Sequence, residues 1–266
     1  MKSKALLVGI NQYPDPRNSL RGCINDIVDM QHFISVANPV YSTAQIKLLT
    51  DKAATKKGIL LQLEWLLEGI ETGDQILFHY SGHGAQVPTR NAHLEKDRLD
   101  EIICPYDFDG SDATTIRDKE FATLFATIPK DVHFVWISDS CHAEDLSRDL
   151  VGNAAYEMRY RYFHGLNPAM SRANNSQIAT GLAPIAQPLN GALLSACASH
   201  ELSADAMINN RFNGAFTYYL IQNIKLYGAN KTMQEIVGYV NVDLNKNGYD
   251  QNPQTEGLLE NKTFFL

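Results

Sequence analysis

Asp74-Gln75-Ile76-Leu77-Phe78-His79-Tyr80-Ser81-Gly82-His83-Gly84 and His133-Phe134-Val135-Trp136-Ile137-Ser138-Asp139-Ser140-Cys141-His142 decide the reading of this chain. Each begins as a short run of β-branched and aromatic residues, the pattern of a strand buried on both faces of a parallel sheet. Chemistry in such sheets collects beyond the carboxyl ends of the strands. One histidine, His83, and one cysteine, Cys141, stand at those ends.

Around these two runs, strand and helix signals alternate. Residues 4–10 and 45–50 read as strands, and residues 23–35 and 55–70 as helices. Ile59, Leu60, Leu63, Leu66 and Leu67 make one apolar face on the second helix. An irregular acidic stretch is expected over 95–112, and a helix over 119–128. Between 143 and 190 the periodicity dissolves, which marks a functional or mobile segment. Beyond it, 191–196 reads as a strand and 216–226 and 232–244 as helices. The second of these has Thr232 as N-cap and Glu235 three residues on, and 263–266 is expected to be a final strand. Alternation of this kind predicts an α/β fold, three layers around a mostly parallel sheet.

The 266 residues are 44% hydrophobic and 20% charged, ordinary for a globular protein that needs no disulfide or metal staple. No apolar stretch approaches a membrane span. The basic-then-apolar start lacks a small-residue cleavage site and reads as the first strand, so a cytoplasmic location is expected. Cys23, Cys104, Cys141 and Cys197 match no zinc spacing and are expected to be reduced thiols. A net charge of −7 without a dense basic patch argues against nucleic acid as a partner.

A thiol near an imidazole is a nucleophile with its base. His83 and Cys141 are far apart in sequence, but neighbouring parallel strands bring their tips together. Gly82 and Gly84 let a substrate backbone approach, and the amides of Gly84 and Cys141 are candidates for an oxyanion site. The competing reading is a histidine in a glycine turn and an inert buried cysteine. Placement at matching strand ends favours the dyad. His142 points away from Cys141 on a strand, and His79 and His133 lie inside strand runs, where packing explains them. Asp139 shares a face with Cys141. Its charge would repel a thiolate, so it suits a cationic substrate group better than activation of the cysteine.

Tyr80-Ser81-Gly82-His83-Gly84 and Asp139-Ser140-Cys141-His142 resemble the two signatures of metacaspases, in the caspase-like clan of cysteine peptidases (peptidase family C14). Val8-Gly9-Ile10-Asn11-Gln12-Tyr13, Leu20-Arg21-Gly22-Cys23-Ile24-Asn25-Asp26, Gly214-Ala215-Phe216-Thr217 and Asn252-Pro253-Gln254 extend the resemblance over nearly the whole chain. It implies a caspase–haemoglobinase fold with a six-stranded, mostly parallel sheet. Within a single caspase-like domain, 1–145 would be a p20-like catalytic subdomain, 146–190 a mobile linker and 191–266 a p10-like subdomain, in a short form with no added prodomain. It implies cleavage of proteins or peptides after Arg or Lys by a monomer. The basic side chain would enter a pocket lined by Asp26, Asp139 and Asp205 with Cys23 and Ser81. It also implies calcium as an activator, with Asp100 and Asp118 at the matching positions; Lys119, beside them, opposes a hard divalent ion. No cofactor is required for the chemistry itself. Self-cleavage in the linker is expected after Arg172, Arg148 or Arg161, with Arg172 in the most polar surroundings. Two other readings compete: a catalytically silent caspase-like scaffold that binds partners, and a metal site on Cys141, His142 and His83, which lacks zinc spacing.

Overall fold

In the computed structural model, residues 2–38, 41, 45–89, 99–141, 158–163, 189–198, 201–228 and 230–266 are described. In chain order the elements are β1 (Ser3–Gly9), α1 (Cys23–Ala37), β2 (Ile46–Thr50), α2 (Lys56–Leu67), β3 (Gln75–Ser81), β4 (Gly84–Pro88), β5 (Leu99–Ile103), β6 (Ile116–Arg117), α3 (Asp118–Phe125), β7 (His133–Asp139), β8 (Met158–Tyr160), β9 (Ala192–Ser195), β10 (Ala204–Ile208), β11 (Arg211–Gly214), α4 (Ala215–Tyr227), α5 (Met233–Lys246) and β12 (Gln254–Glu256). Six of the strands form the central sheet in the order β12-β9-β7-β3-β1-β2. All its pairs are parallel except β12 with β9. The alternation of elements predicts a mostly parallel sheet, and the resemblance implies its six strands; both are observed.

The strands are apolar throughout because both faces are covered, and alternation sorts their side chains. Ala5, Leu7, Leu77, Val135 and Ile137 face the core shared with α1, α4 and α5. Leu6, Val8, Ile76, Phe78, Tyr80 and Phe134 face the core shared with α2 and α3, where Phe78, Phe121, Phe125 and Trp136 cluster at ring distances of 4.9–6.2 Å. Thr232 and Glu235 form the capping box that starts α5, as their spacing predicts. No helix among the described residues is long and apolar enough to cross a membrane.

Three sequence expectations are revised. The sixth strand is the polar β12, not residues 263–266, where only Thr263 forms an isolated bridge, to Thr232. Part of the acidic stretch is β5, which pairs antiparallel with β4. Within the stretch where periodicity fades, β8 pairs antiparallel with β10.

The β3–β7 register sets the site. Ser81 stands opposite Asp139, so His83 and Cys141 each lie two residues past the same rung of the ladder. Leu7 is fully buried in the strand next to this pair. Leu7→Ala is expected to cost about 2–5 kcal/mol, seen as a lower urea midpoint with an unchanged slope.

Candidate active site

His83 is fixed from three sides. Its N–H donates to the Tyr13 hydroxyl (3.0 Å), its carbonyl accepts from Cys104 N–H (2.9 Å) and the Tyr80 hydroxyl (2.7 Å), and its ring packs 4.9 Å from that of Tyr13. Ring Nε2 lies 2.7 Å from the Asn18 carbonyl oxygen. A carbonyl can only accept, so in the neutral ring Nε2 carries the proton and Nδ1 the lone pair. Nδ1 is therefore the basic atom. Cys141 is buried at the end of β7. Burial pushes its thiol up to about 12, against a backbone hydrogen bond from Ser203 and the positive charge of Arg161. Burial thus favours the neutral thiol over the thiolate.

Asp26, Asp139 and Asp205 come together in one fully buried cluster with Ser81. Each carboxylate is oriented by its own donors. Asp26, in the first turn of α1, accepts from Ser81 Oγ (2.7 Å), Gly214 N–H (2.9 Å) and Asn213 Nδ2 (3.1 Å). Asp139 accepts from Ser203 Oγ (2.7 Å) and from Thr217 through both Oγ1 (2.6 Å) and N–H (3.1 Å), at the start of α4. Asp205 accepts from the N–H groups of Arg21 and Gly22, both at 2.8 Å. Helix N-termini favour such anions. Gly22 and Gly214 permit the close approach: a Cβ at Gly22 would strike the Asp205 carboxylate, and one at Gly214 that of Asp139. Cys23 is buried beside the cluster, and burial holds its thiol well above the usual range.

The cavity among these carboxylates is filled by the chain's own Arg161, with none of its surface exposed. Its Nη2 is 2.7 Å from Asp26 Oδ2 and 3.2 Å from Asp205 Oδ1, and its Nη1 is 3.1 Å from Asp139 Oδ1. Nη1 also donates to Ser81 Oγ (2.7 Å) and the Asp139 carbonyl (3.0 Å). The backbone around Arg161 is held as well. Its N–H donates to the Ser203 carbonyl (3.0 Å), and its carbonyl accepts from Gly84 N–H (3.0 Å). β8, just before it, pairs with β10.

Asn18, Ser203 and Thr217 also serve the site. The first two act partly through backbone atoms, which leave no trace in residue type. For Arg161 there is a signal: basic and apolar residues alternate through Met158-Arg159-Tyr160-Arg161-Tyr162-Phe163, as in a strand with two different faces. Arg148, Arg172 and His142 lie outside the described residues. His79 is packed against Thr217 (Nε2 to Oγ1, 3.3 Å), with burial pushing its ring down to about 4. His133 Nε2 lies 3.0 Å from the Phe264 carbonyl oxygen.

The positions that the resemblance assigns to calcium do not form an open cradle. Asp100 is buried and ion-paired with both Arg117 (2.6 Å) and Lys119, and Asp118 lies 3.8 Å from the same Lys119. Burial would raise Asp100, but hydrogen bonds from Lys119, Thr89 and Arg117 hold its carboxyl below the ordinary range. A divalent ion here would have to displace the lysine ammonium, so these residues do not fit one. Among the described residues, no group of three or more His, Cys, Asp or Glu is placed to hold a metal.

Comparison with known proteins gives a consistent picture. Residues 3–148 match the family model "Metacaspase, peptidase C14 domain". The chain is 29% identical over 258 residues to Metacaspase-1 of Meyerozyma guilliermondii, covering 84% of this chain and 62% of that protein. It is 27% identical over 288 residues to Metacaspase-1 of Cryptococcus neoformans, covering 95% and 62%. The chain thus spans less than two thirds of the length of these relatives. A crystal structure of protein GSU0716 from Geobacter sulfurreducens superposes with a TM-score of 0.67 at 25% identity, covering 100% of this chain and 99% of that one.

The buried ion cluster predicts a pH signature. Burial, opposed by the charge of Arg161, raises the Asp26 carboxyl to about 6, above its ordinary value of about 4. Its contribution to stability is full below about pH 4 and is lost as pH rises through about 6. Arg161→Gln removes the opposing charge and should raise Asp26 further. The variant is expected to lose about 3–5 kcal/mol at neutral pH and less at pH 4, measured by urea unfolding across that range. An equal loss at every pH would contradict this account.

Proposed function

The chain belongs to the metacaspase family, peptidase C14, and from that premise we propose that it is a cysteine endopeptidase that cleaves after Arg or Lys. One observation carries the reading. Arg161 is seated as a substrate would be, with its guanidinium among three carboxylates and its carbonyl on the Gly84 amide. A guanidinium fits this cluster because its planar fork reaches several oxygens at once, and the ammonium of Lys fits as a point charge. An aspartate side chain would meet only repulsion.

In the proposed reaction, Cys141 Sγ attacks the carbonyl carbon of the basic residue while His83 Nδ1 takes the thiol proton. The oxyanion is held by Gly84 N–H, with the Cys141 amide as a second donor. Collapse breaks the C–N bond, and the leaving amine takes the proton from His83. Water, deprotonated by His83, then opens the thioester and restores the thiol.

In this reading the Arg161–Tyr162 bond is the enzyme's first substrate, ahead of those after Arg148 and Arg172. Until it is cut, Arg161 bars the pocket to other chains, which is a zymogen. In this reading the enzyme acts as a monomer on protein or peptide substrates. Lys119 already neutralises Asp100, so calcium is dispensable in this reading.

Peptides ending in Arg, Lys or Asp before a reporter amide test this, with calcium and with chelator. Arg and Lys peptides are expected to be cut at equal rates in both conditions, and Asp peptides not at all. Cys141→Ala should abolish turnover, whereas a silent scaffold would show none in either protein. Mass spectrometry of the stored wild-type protein is expected to find fragments ending at Arg161, absent from the Cys141→Ala protein.

A further inference from the structure

The segment that occupies the cleft continues past Arg161, and its continuation is held as firmly as Arg161 itself. Gly84 donates its N–H to the Arg161 carbonyl and accepts the Phe163 N–H at its own carbonyl (3.3 Å), forming a parallel bridge around Tyr162. One glycine thus fixes the backbone on both sides of Tyr162. This places the Phe163 side chain at a defined spot, the second residue after the bond to be cut.

That spot is an aromatic box. The Phe163 ring meets Phe108 at 4.9 Å and 83°, Tyr13 at 5.7 Å and 77°, and the imidazole of His83 at 5.8 Å and 87°. All three are edge-to-face contacts in the favourable range. Phe163 is 9% exposed, and Phe108 and Tyr13 are 3% and 5% exposed. The Tyr13 hydroxyl is committed to His83 N–H and to the Cys104 carbonyl (3.2 Å), so Tyr13 offers the box its ring and not its polar tip. A charged or strongly polar side chain placed here would lose its water and gain no partner.

We propose that Tyr13 and Phe108 form a specificity pocket that selects an aromatic side chain at the second position after the cleaved bond. The preferred substrates are chains carrying Arg or Lys, then any residue, then Phe, Tyr or Trp. The inference rests on the endopeptidase reading above and adds a second recognition point on the leaving side. The pocket borders the base: a ring seated there covers one edge of His83. An aromatic residue thus shields the imidazole from solvent while its backbone is clamped by Gly84. Arg161 and Phe163 of this chain are then a matched pair, one read by charge and the other by ring shape.

The test uses internally quenched peptides that span the bond, Tyr-Arg-Tyr-Phe, Tyr-Arg-Tyr-Ala and Tyr-Arg-Tyr-Glu in otherwise identical flanks, with the wild-type protein. The Phe peptide is expected to exceed the Ala peptide by about tenfold or more in kcat/KM, with Glu slowest. In Phe108→Ala protein the Phe-to-Ala ratio should fall toward one. In the chain itself, Phe163→Ala should slow the appearance of fragments ending at Arg161 by a similar factor, and Phe163→Tyr should restore it. Equal kcat/KM for the Phe and Ala peptides in the wild-type protein overturns this proposal and leaves the endopeptidase reading intact. No cleavage of any Arg peptide overturns both.

Discussion

The buried guanidinium of Arg161 is the constraint around which the cleft is arranged. Three carboxylates in one dry cavity repel one another, and desolvation adds to the cost. A single cation spanning all three offsets both. The remaining oxygen lone pairs are met by backbone amides and hydroxyls contributed by the residues just before α1 and β10, by β11 and by α4. These donors are built into the scaffold, so the carboxylates keep their orientation whichever cation occupies the centre. The guanidinium of Arg161 meets this set of oxygens by charge and fork geometry together.

The neutral state of Cys141 belongs to the same arrangement. With the cleft filled, no solvent reaches the sulfur, and burial holds its proton firmly. A thiol kept neutral is protected from oxidation and exchange, because only the thiolate reacts. The Asn18 carbonyl, by fixing the proton on Nε2, leaves the lone pair of His83 on Nδ1.

How much of this was legible depends on which physical signal each part leaves. β3 and β7 could be read directly, because a strand covered on both faces is apolar at every position, and the site lay at their ends. The α2 stripe and the Thr232–Glu235 box were equally plain. β12 was not, because Gln254, Thr255 and Glu256 lie at the sheet edge and need bury little. β8 was missed for a different reason: its alternation is short, and its charged residues read as a solvated loop. Polarity of neighbours is a measure of exposure, so it drew attention to Arg172, outside the described residues, and gave no hint that Arg161 is buried among carboxylates. Asp139 could be read from strand alternation beside Cys141, but Asp26 and Asp205 could be found only through motif resemblance, since buried carboxylates run against every composition rule.

Among the described residues, Asp100 and the Asp26–Asp139–Asp205 cluster are buried carboxylates neutralised by the chain's own cations, and the two sites differ in how those cations are carried. Lys119 reaches Asp100 from the first turn of α3, and Arg117 from the strand before it. Both are anchored in regular structure. Arg161 sits between β8 and an aromatic residue, on a segment whose peptide bond lies against the Gly84 amide. Its hold on the cavity is as complete, but it comes from the residue just past the end of β8, held by its own backbone bonds to Ser203 and Gly84 rather than by a place inside a helix or strand.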